Sequence, residues 1–417
     1  MPEPSVRTEH RPLSVVGSTA WLISPAAAAA GRVALERQPG QRVRRLVEVG
    51  ADAFRERRHP RRARMQSLVL GHGARLTWRE TAIPAPPGPL GAVVTPLAMA
   101  TCDLDRPLGL GATPFPLPLH LGHECVGVVV AVGDDVRTVR RGNRVAVPFQ
   151  VSCGACPACR HGLTGSCRAV PPLSMYGFGV AGGAWGGVFS EQMAVPYADA
   201  MLVPLPEAVD PVAVASVGDT LSDAYRHIAP HLDRVRRHPE GPRIIIVGAV
   251  RRRSRFSASV PLYAGQIARA LLPEASVVII DARPSVREHG TSLGLEMQAP
   301  VRVRHLSAPL VVDCSADPLG LDLALRATAP DGLCSCAGTL HSSVRVPATL
   351  MFGRNVTLTV SRSHIRSVMP AVLDLVAAGR IDPGAVTTAV APFGDATRTL
   401  REHLLGGGTK TVLVHSA

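Results

Sequence analysis

Lysine is almost missing from this sequence, although the chain is strongly basic. The 417 residues carry 45 basic side chains and a formal net charge of +13, yet Lys410 is the only lysine. Arginine replaces lysine almost everywhere, a bias more typical of a GC-rich coding sequence than of selection for a guanidinium surface. Much of the excess charge lies in residues 1–64 and in an arginine cluster at 251–255. Because the charge is not spread over a recognition face, we predict no nucleic-acid partner.

The sequence also lacks an apolar run of transmembrane length, so we predict no membrane partner. Residues 15–30 resemble the core of a signal peptide, but Pro25 interrupts them and the acidic Glu3 and Glu9 precede them. Further acidic residues between 36 and 56 disfavour a transit peptide. We therefore predict a cytoplasmic protein, in which residues 1–64 are a disordered extension or a translated leader upstream of the natural start.

Four of the cysteines form a compact set. Cys153, Cys156, Cys159 and Cys167 have the spacing C-x2-C-x2-C-x7-C in a segment rich in Gly and Pro. Four thiolates from one short loop suit tetrahedral Zn²⁺ and leave no position for water, which is typical of a structural site. The alternative is a disulfide framework, which would need an oxidising compartment and strained bridges between adjacent cysteines.

Cys102, His123 and Asp219 are candidates for a second kind of zinc site. A thiolate, an imidazole and a carboxylate leave the fourth tetrahedral position open for water or substrate, as a catalytic zinc requires. Each residue also has a plainer interpretation. The cysteine would be a small core residue, the histidine would form a surface pair with Glu124, and the aspartate would cap a helix.

Residues 122–127 read G-H-E-C-V-G and are followed by Gly133 and Val136. This string resembles the signature of zinc-containing medium-chain alcohol dehydrogenases, G-H-E-x2-G-x5-G-x2-V, without a mismatch, and the cysteine lobe follows in the family's order. The resemblance implies an α/β fold in which a GroES-like β-barrel forms the catalytic domain and a Rossmann doubly wound parallel sheet forms the cofactor domain. It also implies a catalytic zinc on Cys102, His123 and Asp219, with Glu124 near the metal, and a structural zinc on the four cysteines.

Residues 218–225 read G-D-T-L-S-D-A-Y. They are similar to the formaldehyde dehydrogenase branch of that family, which acts without glutathione and in which an Asp in a D-x-L/F-x-x-x-Y context is the third zinc ligand. This resemblance implies that role for Asp219. From the resemblance we also expect a catalytic domain over residues 65–215 and 365–417, a Rossmann domain over 216–364, and a homodimer or homotetramer.

Apolar runs bounded by turn residues predict the strands of both domains. We predict catalytic-domain strands at 67–70, 76–80, 91–98, 126–132, 144–147 and 411–414. A strand at 243–247 ending at Gly248, a helix, and a strand at 277–280 ending at Asp281 form a dinucleotide-binding βαβ unit. Asp281 would accept the ribose hydroxyls, which favours NAD over NADP. We predict later strands at 310–313 and 333–337, a turn at 330–332 and a helix at 367–378.

The loop after Gly248 departs from the family pattern. It is several residues longer than usual, carries four arginines at 251–253 and 255 instead of further glycines, and places Pro261 where a small residue normally lets helix and strand pack. The arginines either bind the phosphates by charge or belong to a solvated, disordered insertion. A local frame disturbance in the gene is a third explanation.

A second departure lies beside Cys102. Leu104 stands where many family members have a Ser or Thr that relays the alcohol proton, so Asp103, Glu124 or water would take over that role. We expect Asp105 to support His123 from behind the metal.

The sequence thus predicts a zinc-dependent oxidoreductase that transfers a hydride between a small alcohol, or an aldehyde hydrate, and NAD. Because the loop after Gly248 is altered, the alternative is a zinc-stabilised pseudoenzyme of the same fold with impaired cofactor binding. A nucleic-acid-binding zinc protein is a weaker alternative, because the four-cysteine segment lacks basic and aromatic residues at positions that could contact nucleic-acid bases.

Overall fold

The computed structural model describes residues 39–58, 63–300, 306–338, 344–406 and 408–415. The strands of these ranges are β1 Arg64–Gly71, β2 Arg75–Ala82, β3 Ala92–Ala100, β4 Leu119–His120, β5 Glu124–Val132, β6 Arg144–Val147, β7 Met193–Val195, β8 Val203–Pro204, β9 Arg243–Val247, β10 Ser276–Ile280, β11 Glu296–Gln298, β12 Ala308–Asp313, β13 Thr328–Cys336, β14 Thr357–Val360, β15 Ala389–Pro392 and β16 Thr411–Val414. The α-helices are α1 Pro39–Arg58, α2 Asp105–Gly109, α3 Pro157–Arg160, α4 Ala198–Met201, α5 Thr220–Arg226, α6 Leu232–Arg237, α7 Ser259–Leu271, α8 Pro284–Ser292, α9 Pro318–Ala327, α10 Ala348–Arg354, α11 Ile365–Ala377 and α12 Ala396–Leu404.

Two sheets build the GroES-like domain. A seven-stranded sheet has the order β15-β16-β3-β5-β6-β8 with β7 also paired to β3, and a three-stranded sheet has the order β2-β1-β4. The strands predicted in this part of the chain are confirmed, and β6 and β16 have the predicted bounds. The pairing of β3 with β5 places Ala100 opposite Glu124. Cys102, just after β3, and His123, just before β5, therefore come together at one sheet end.

A six-stranded parallel sheet, ordered β11-β10-β9-β12-β13-β14, forms the Rossmann domain. Its central strands are runs of Ile and Val because helices cover both faces of such a sheet. The predicted βαβ unit of β9, α7 and β10 is confirmed. Pro261 lies in the first turn of α7, where a backbone N–H has no partner within the helix, so it does not disturb the helix. Close packing depends instead on Gly265, where a Cβ would lie 2.6 Å from Cδ1 of Ile279.

Two local expectations differ from the structure. The turn predicted at 330–332 lies within β13, where Asp331 has a φ of +58°. The register against β12 shifts between Ala308 and Leu310 at this point, so the turn residues form an irregularity inside a strand rather than a turn before it.

The second difference is α1, which lies inside the segment predicted to be disordered or a leader. Residues 39–58 form this helix with the good helix formers arginine, alanine, leucine and glutamate, and the expectation of a disordered extension or a leader stays a prediction. Residues 1–38, with the signal-like stretch, lie outside the described residues, and the natural start of the chain stays a prediction. Within the described ranges, no helix combines the length and apolar character needed to span a membrane.

Candidate active site

The four-cysteine loop brings its thiols together as predicted. The Sγ atoms of Cys153, Cys156, Cys159 and Cys167 all lie within 4.8 Å of one another. Backbone N–H groups donate to three of these sulfurs at 3.4 Å, from Cys153 to Cys167, from Cys156 to Cys153, and from Arg168 to Cys156. Such donors stabilise thiolates over thiols. The cysteines are all free, so the disulfide alternative is not what the structure shows, and the donor set fits a closed tetrahedral zinc site.

The second ligand set also converges. Ligand atoms of Cys102, His123, Glu124 and Asp219 lie within 4.8 Å of one another. Oδ2 of Asp219, at the start of α5, is 3.3 Å from both Sγ of Cys102 and Nε2 of His123. Burial, and then the nearby carboxylates of Asp219 and Glu124, raises the pKa of the Cys102 thiol well above its usual value. A bound cation is therefore needed to hold a thiolate here.

His123 supplies a further test of fit for zinc. The residue is 2% exposed, Nδ1 has no hydrogen-bond partner among the described residues, and Nε2 faces Oδ2 of Asp219 at 3.3 Å without forming a hydrogen bond of good geometry. A buried imidazole without a partner is costly unless a ligand satisfies it, and Zn²⁺ at Nε2 would do so. Asp105, expected behind His123, accepts a hydrogen bond from the backbone N–H of Cys102 at 2.9 Å, and burial raises the pKa of its carboxyl while the nearby His123 acts against this rise.

Both carboxylate oxygens of Glu124 already accept hydrogen bonds from other residues of the chain. Its Oε2 accepts from Nζ of Lys410 at 2.8 Å, and its Oε1 accepts from the backbone N–H of Thr220 at 3.0 Å. Lys410 also donates to Oγ1 of Thr220 at 2.8 Å and to the carbonyl of Thr101. Sequence reasoning identified Glu124 but missed Lys410. The available signal was that Lys410 is the one lysine of an arginine-rich chain and lies directly before β16, which pairs with β3.

A cavity of about 470 Å³ opens onto Cys102 and Asp219 between the two domains. The loops after β12 and β13 and the segment after β14 line its Rossmann side. Its catalytic-domain wall is apolar and consists of Leu104, Phe115, Phe149, Leu173, Met175 and Phe178. The Phe178 ring lies 4.8 Å from the His123 ring between centroids. The volume suits a small ligand, and the aromatic wall shields the metal ligands from water.

The predicted ribose-binding acid lies where expected, but its carboxylate already has partners within the chain. Asp281 is fully buried at the end of β10 and accepts from the backbone N–H of Ala249 at 3.1 Å. A Cβ at Gly248 would lie 2.6 Å from its Oδ2, so this position needs glycine. The guanidinium of Arg283 pairs with both carboxylate oxygens, at 2.9 and 2.7 Å. The ribose of a dinucleotide at this edge of the sheet would therefore compete with Arg283 for the carboxylate of Asp281.

Asp103 occupies the N-terminus of α7. Its Oδ1 accepts from the backbone N–H and the hydroxyl of Ser259 at 3.1 and 2.6 Å, and its Oδ2 accepts from the N–H of Val260 at 3.1 Å. A helix start after the first Rossmann strand is the place where phosphate binds in such folds. A carboxylate from the catalytic domain takes that place here, which the sequence did not reveal.

The arginine-bearing loop is folded over the sheet edge rather than disordered. Arg251 pairs with Asp317 at 3.1 Å, and Arg283 donates to the carbonyl of Phe256 at 2.7 Å. The four loop arginines are exposed. A smaller cavity of about 290 Å³ lies between this loop and residues 315–317.

Known proteins are similar to this chain in sequence and in fold. Residues 88–207 match the family described as alcohol dehydrogenase GroES-like domain. A probable zinc-binding alcohol dehydrogenase of Mycobacterium tuberculosis is 28% identical over 80% of this chain and 84% of the relative. The glutathione-independent formaldehyde dehydrogenase of Pseudomonas aeruginosa is 31% identical, over 56% of this chain and 58% of the relative. The solved alcohol dehydrogenase TADH of Thermus sp. ATN1 has a TM-score of 0.74 and 28% identity, covering 84% of this chain and 100% of its own.

The GroES-like domain, the six-stranded parallel sheet and the two ligand sets define a two-domain dehydrogenase of the medium-chain class. Within that class, the proteins that the chain resembles in sequence and in fold are the zinc-containing medium-chain alcohol dehydrogenases.

Proposed function

We propose that the protein is a zinc- and NAD-dependent oxidoreductase that interconverts a small alcohol, or an aldehyde hydrate, with its oxidised product. The observation that supports this most is the convergence of Cys102, His123 and Asp219 at one cavity, which also borders the Rossmann sheet. The substrate oxygen would lie at the open fourth position of this set. Glu124 belongs beside the metal rather than on it, because Lys410 and Thr220 already hold both of its oxygens.

When bound, zinc supplies a Lewis acid for the substrate oxygen and the dinucleotide supplies a two-electron acceptor. The chain contributes the surroundings. Phe149 and Phe178 pack beside His123 and exclude water from the reacting carbon. Leu104 carries no proton, and the oxygens of Asp103 are bound at α7. We therefore assign the departing hydroxyl proton to solvent at the cavity mouth.

The pseudoenzyme is the second candidate, because two groups that a dinucleotide needs have partners within the chain. Asp103 holds the start of α7, and Arg283 holds Asp281. If these contacts persist in solution, the protein binds two zinc ions and no NADH. The homodimer or homotetramer, and cytoplasmic location, stay predictions.

The deciding experiment is NADH binding to the zinc-loaded full chain, followed by fluorescence enhancement. We expect micromolar binding that Asp281→Ala abolishes, because the ribose loses both acceptors, and that the closer replacement Asp281→Asn weakens, because one acceptor and the negative charge are lost. Asp233→Ala, at an exposed acid on α6, is the control and leaves binding unchanged. Zinc analysis and circular dichroism confirm that each variant is folded and loaded. Wild-type protein with two zincs and no NADH affinity would establish the pseudoenzyme instead.

A further inference from the structure

The guanidinium of Arg362 is a partly buried charge without an acidic partner among the described residues. It follows β14 and lines the 470 Å³ cavity. Its Nη1 donates to the carbonyl of Gly165 at 2.7 Å, and its Nη2 lies 3.8 Å from Sδ of Met175. No carboxylate of the described residues forms an ion pair with it, and burial lowers its pKa to about 10. Burying a charge in this way is unfavourable unless a partner arrives.

The carboxylates that face the cavity are all committed to other groups. Asp223 accepts from Nε of Arg226 at 2.6 Å. Asp103 is held by the start of α7, and Asp219 belongs to the zinc ligands. None of these negative charges compensates Arg362. The cavity therefore contains one positive charge that the chain itself does not neutralise.

We propose that the substrate carries a carboxylate at the end opposite to its reacting hydroxyl or aldehyde, and that Arg362 binds this carboxylate. The position of the hydroxyl or aldehyde at the zinc site rests on the proposed function. A guanidinium offers two parallel N–H donors that match the geometry of a carboxylate. Met175 contacts Arg362, and Phe178 contacts His123, so an apolar wall connects the two ends. The substrate class is a short hydroxy acid, or the matching aldehyde acid, with an apolar spacer.

The same anionic chemistry could come from a phosphate of the dinucleotide. The two sources predict different effects of replacing Arg362 on the binding of substrate and of NADH. If Arg362 binds substrate, its loss weakens carboxylate binding and leaves NADH affinity unchanged. If it binds the cofactor, its loss raises the dissociation constant of NADH.

The first test measures binding without turnover. Calorimetry on the zinc-loaded full chain compares butyrate with its neutral analogue butyramide. We expect butyrate to bind about 10- to 100-fold more tightly, the effect of a hydrogen-bonded charge. Arg362→Met removes this preference and Arg362→Lys keeps part of it. Arg366→Met is the matched control, because Arg366 is also buried without a carboxylate but does not line the cavity.

The second test measures turnover with NAD, comparing 4-hydroxybutanoate with 1,4-butanediol. We expect kcat/KM to favour the acid, and Arg362→Met to reduce this preference about 10- to 100-fold through the KM of the acid. Butyrate preference that survives Arg362→Met would overturn the inference, since zinc alone would then explain it. A raised NADH dissociation constant with an unchanged substrate ratio would also overturn it. Butyrate binding that depends on Arg362, without turnover of either substrate, would support this inference and reject the proposed function.

Discussion

Nζ of Lys410 lies 2.8 Å from Oε2 of Glu124, and both side chains are closed off from solvent, at 1% and 0% exposure. The pair connects the residue before β16 to the strand that follows His123, a candidate zinc ligand. Burial raises the pKa of Glu124 to about 7, and Lys410 acts against this rise. The ammonium therefore favours the charged form of this carboxylate, beside the candidate metal ligands, against the effect of burial.

Replacing Lys410 with Met should destabilise the protein. The change leaves Glu124 buried without its cation, which typically costs about 3–5 kcal/mol. Thermal unfolding of the zinc-loaded protein should show a clearly lower midpoint. The double variant Lys410→Met with Glu124→Gln should recover part of the loss, because no unpaired charge remains. Arg326→Met breaks an exposed pair with Asp322 and should change the midpoint little. Equal midpoints for Lys410→Met and Arg326→Met would show that the buried pair does not stabilise the fold.

Removing the charge of Asp103 should strengthen cofactor binding. Asp103→Asn keeps an acceptor for the N–H groups of α7 but withdraws the anion from the helix start. Because a helix N-terminus favours negative charge, the site becomes available to phosphate. We expect the NADH dissociation constant to fall about 3- to 10-fold. Fluorescence titration measures it, with Asp233→Asn as the control. Unchanged or weaker binding in Asp103→Asn would mean that this carboxylate does not compete with the cofactor.

His403 should make the fold sensitive to acid. Its side chain is 1% exposed on α12, and burial, aided by Arg106 and Lys410, lowers its pKa to about 3. In the unfolded chain the histidine binds a proton below about pH 6.5. The unfolded state therefore binds more protons between these values, and stability is lost as the pH falls from about 6.5 toward 3.

The matching variant is His403→Gln, which cannot titrate. Between pH 7.5 and pH 5, wild type should lose about 2 kcal/mol more unfolding free energy than this variant, measured by denaturant titration in excess zinc. His72→Gln, at an exposed histidine, should behave like wild type. Parallel pH profiles of wild type and His403→Gln would refute the assignment.

The zinc ligands and the sheet framework were predictable because their signals are local. Cysteine spacing, the G-H-E string, and apolar runs such as β9 each depend on a few adjacent residues. The turn expected at 330–332 failed because the same residue types also accommodate an irregularity within a strand. The pairings of Lys410 with Glu124 and of Asp103 with Ser259 join positions 286 and 156 residues apart. The first pairing depends on the strand order of the seven-stranded sheet and the second on how the two domains pack, and no local pattern indicates either of them.

The burial of Lys410 also determines how the folded protein responds to amine-directed chemistry. No other side chain carries a primary amine, and this one is enclosed by Glu124, Thr220 and Thr101. Acylating dyes and amine crosslinkers will therefore find no lysine on the native surface. The extent of lysine labelling therefore measures how often the structure around Lys410 opens to solvent.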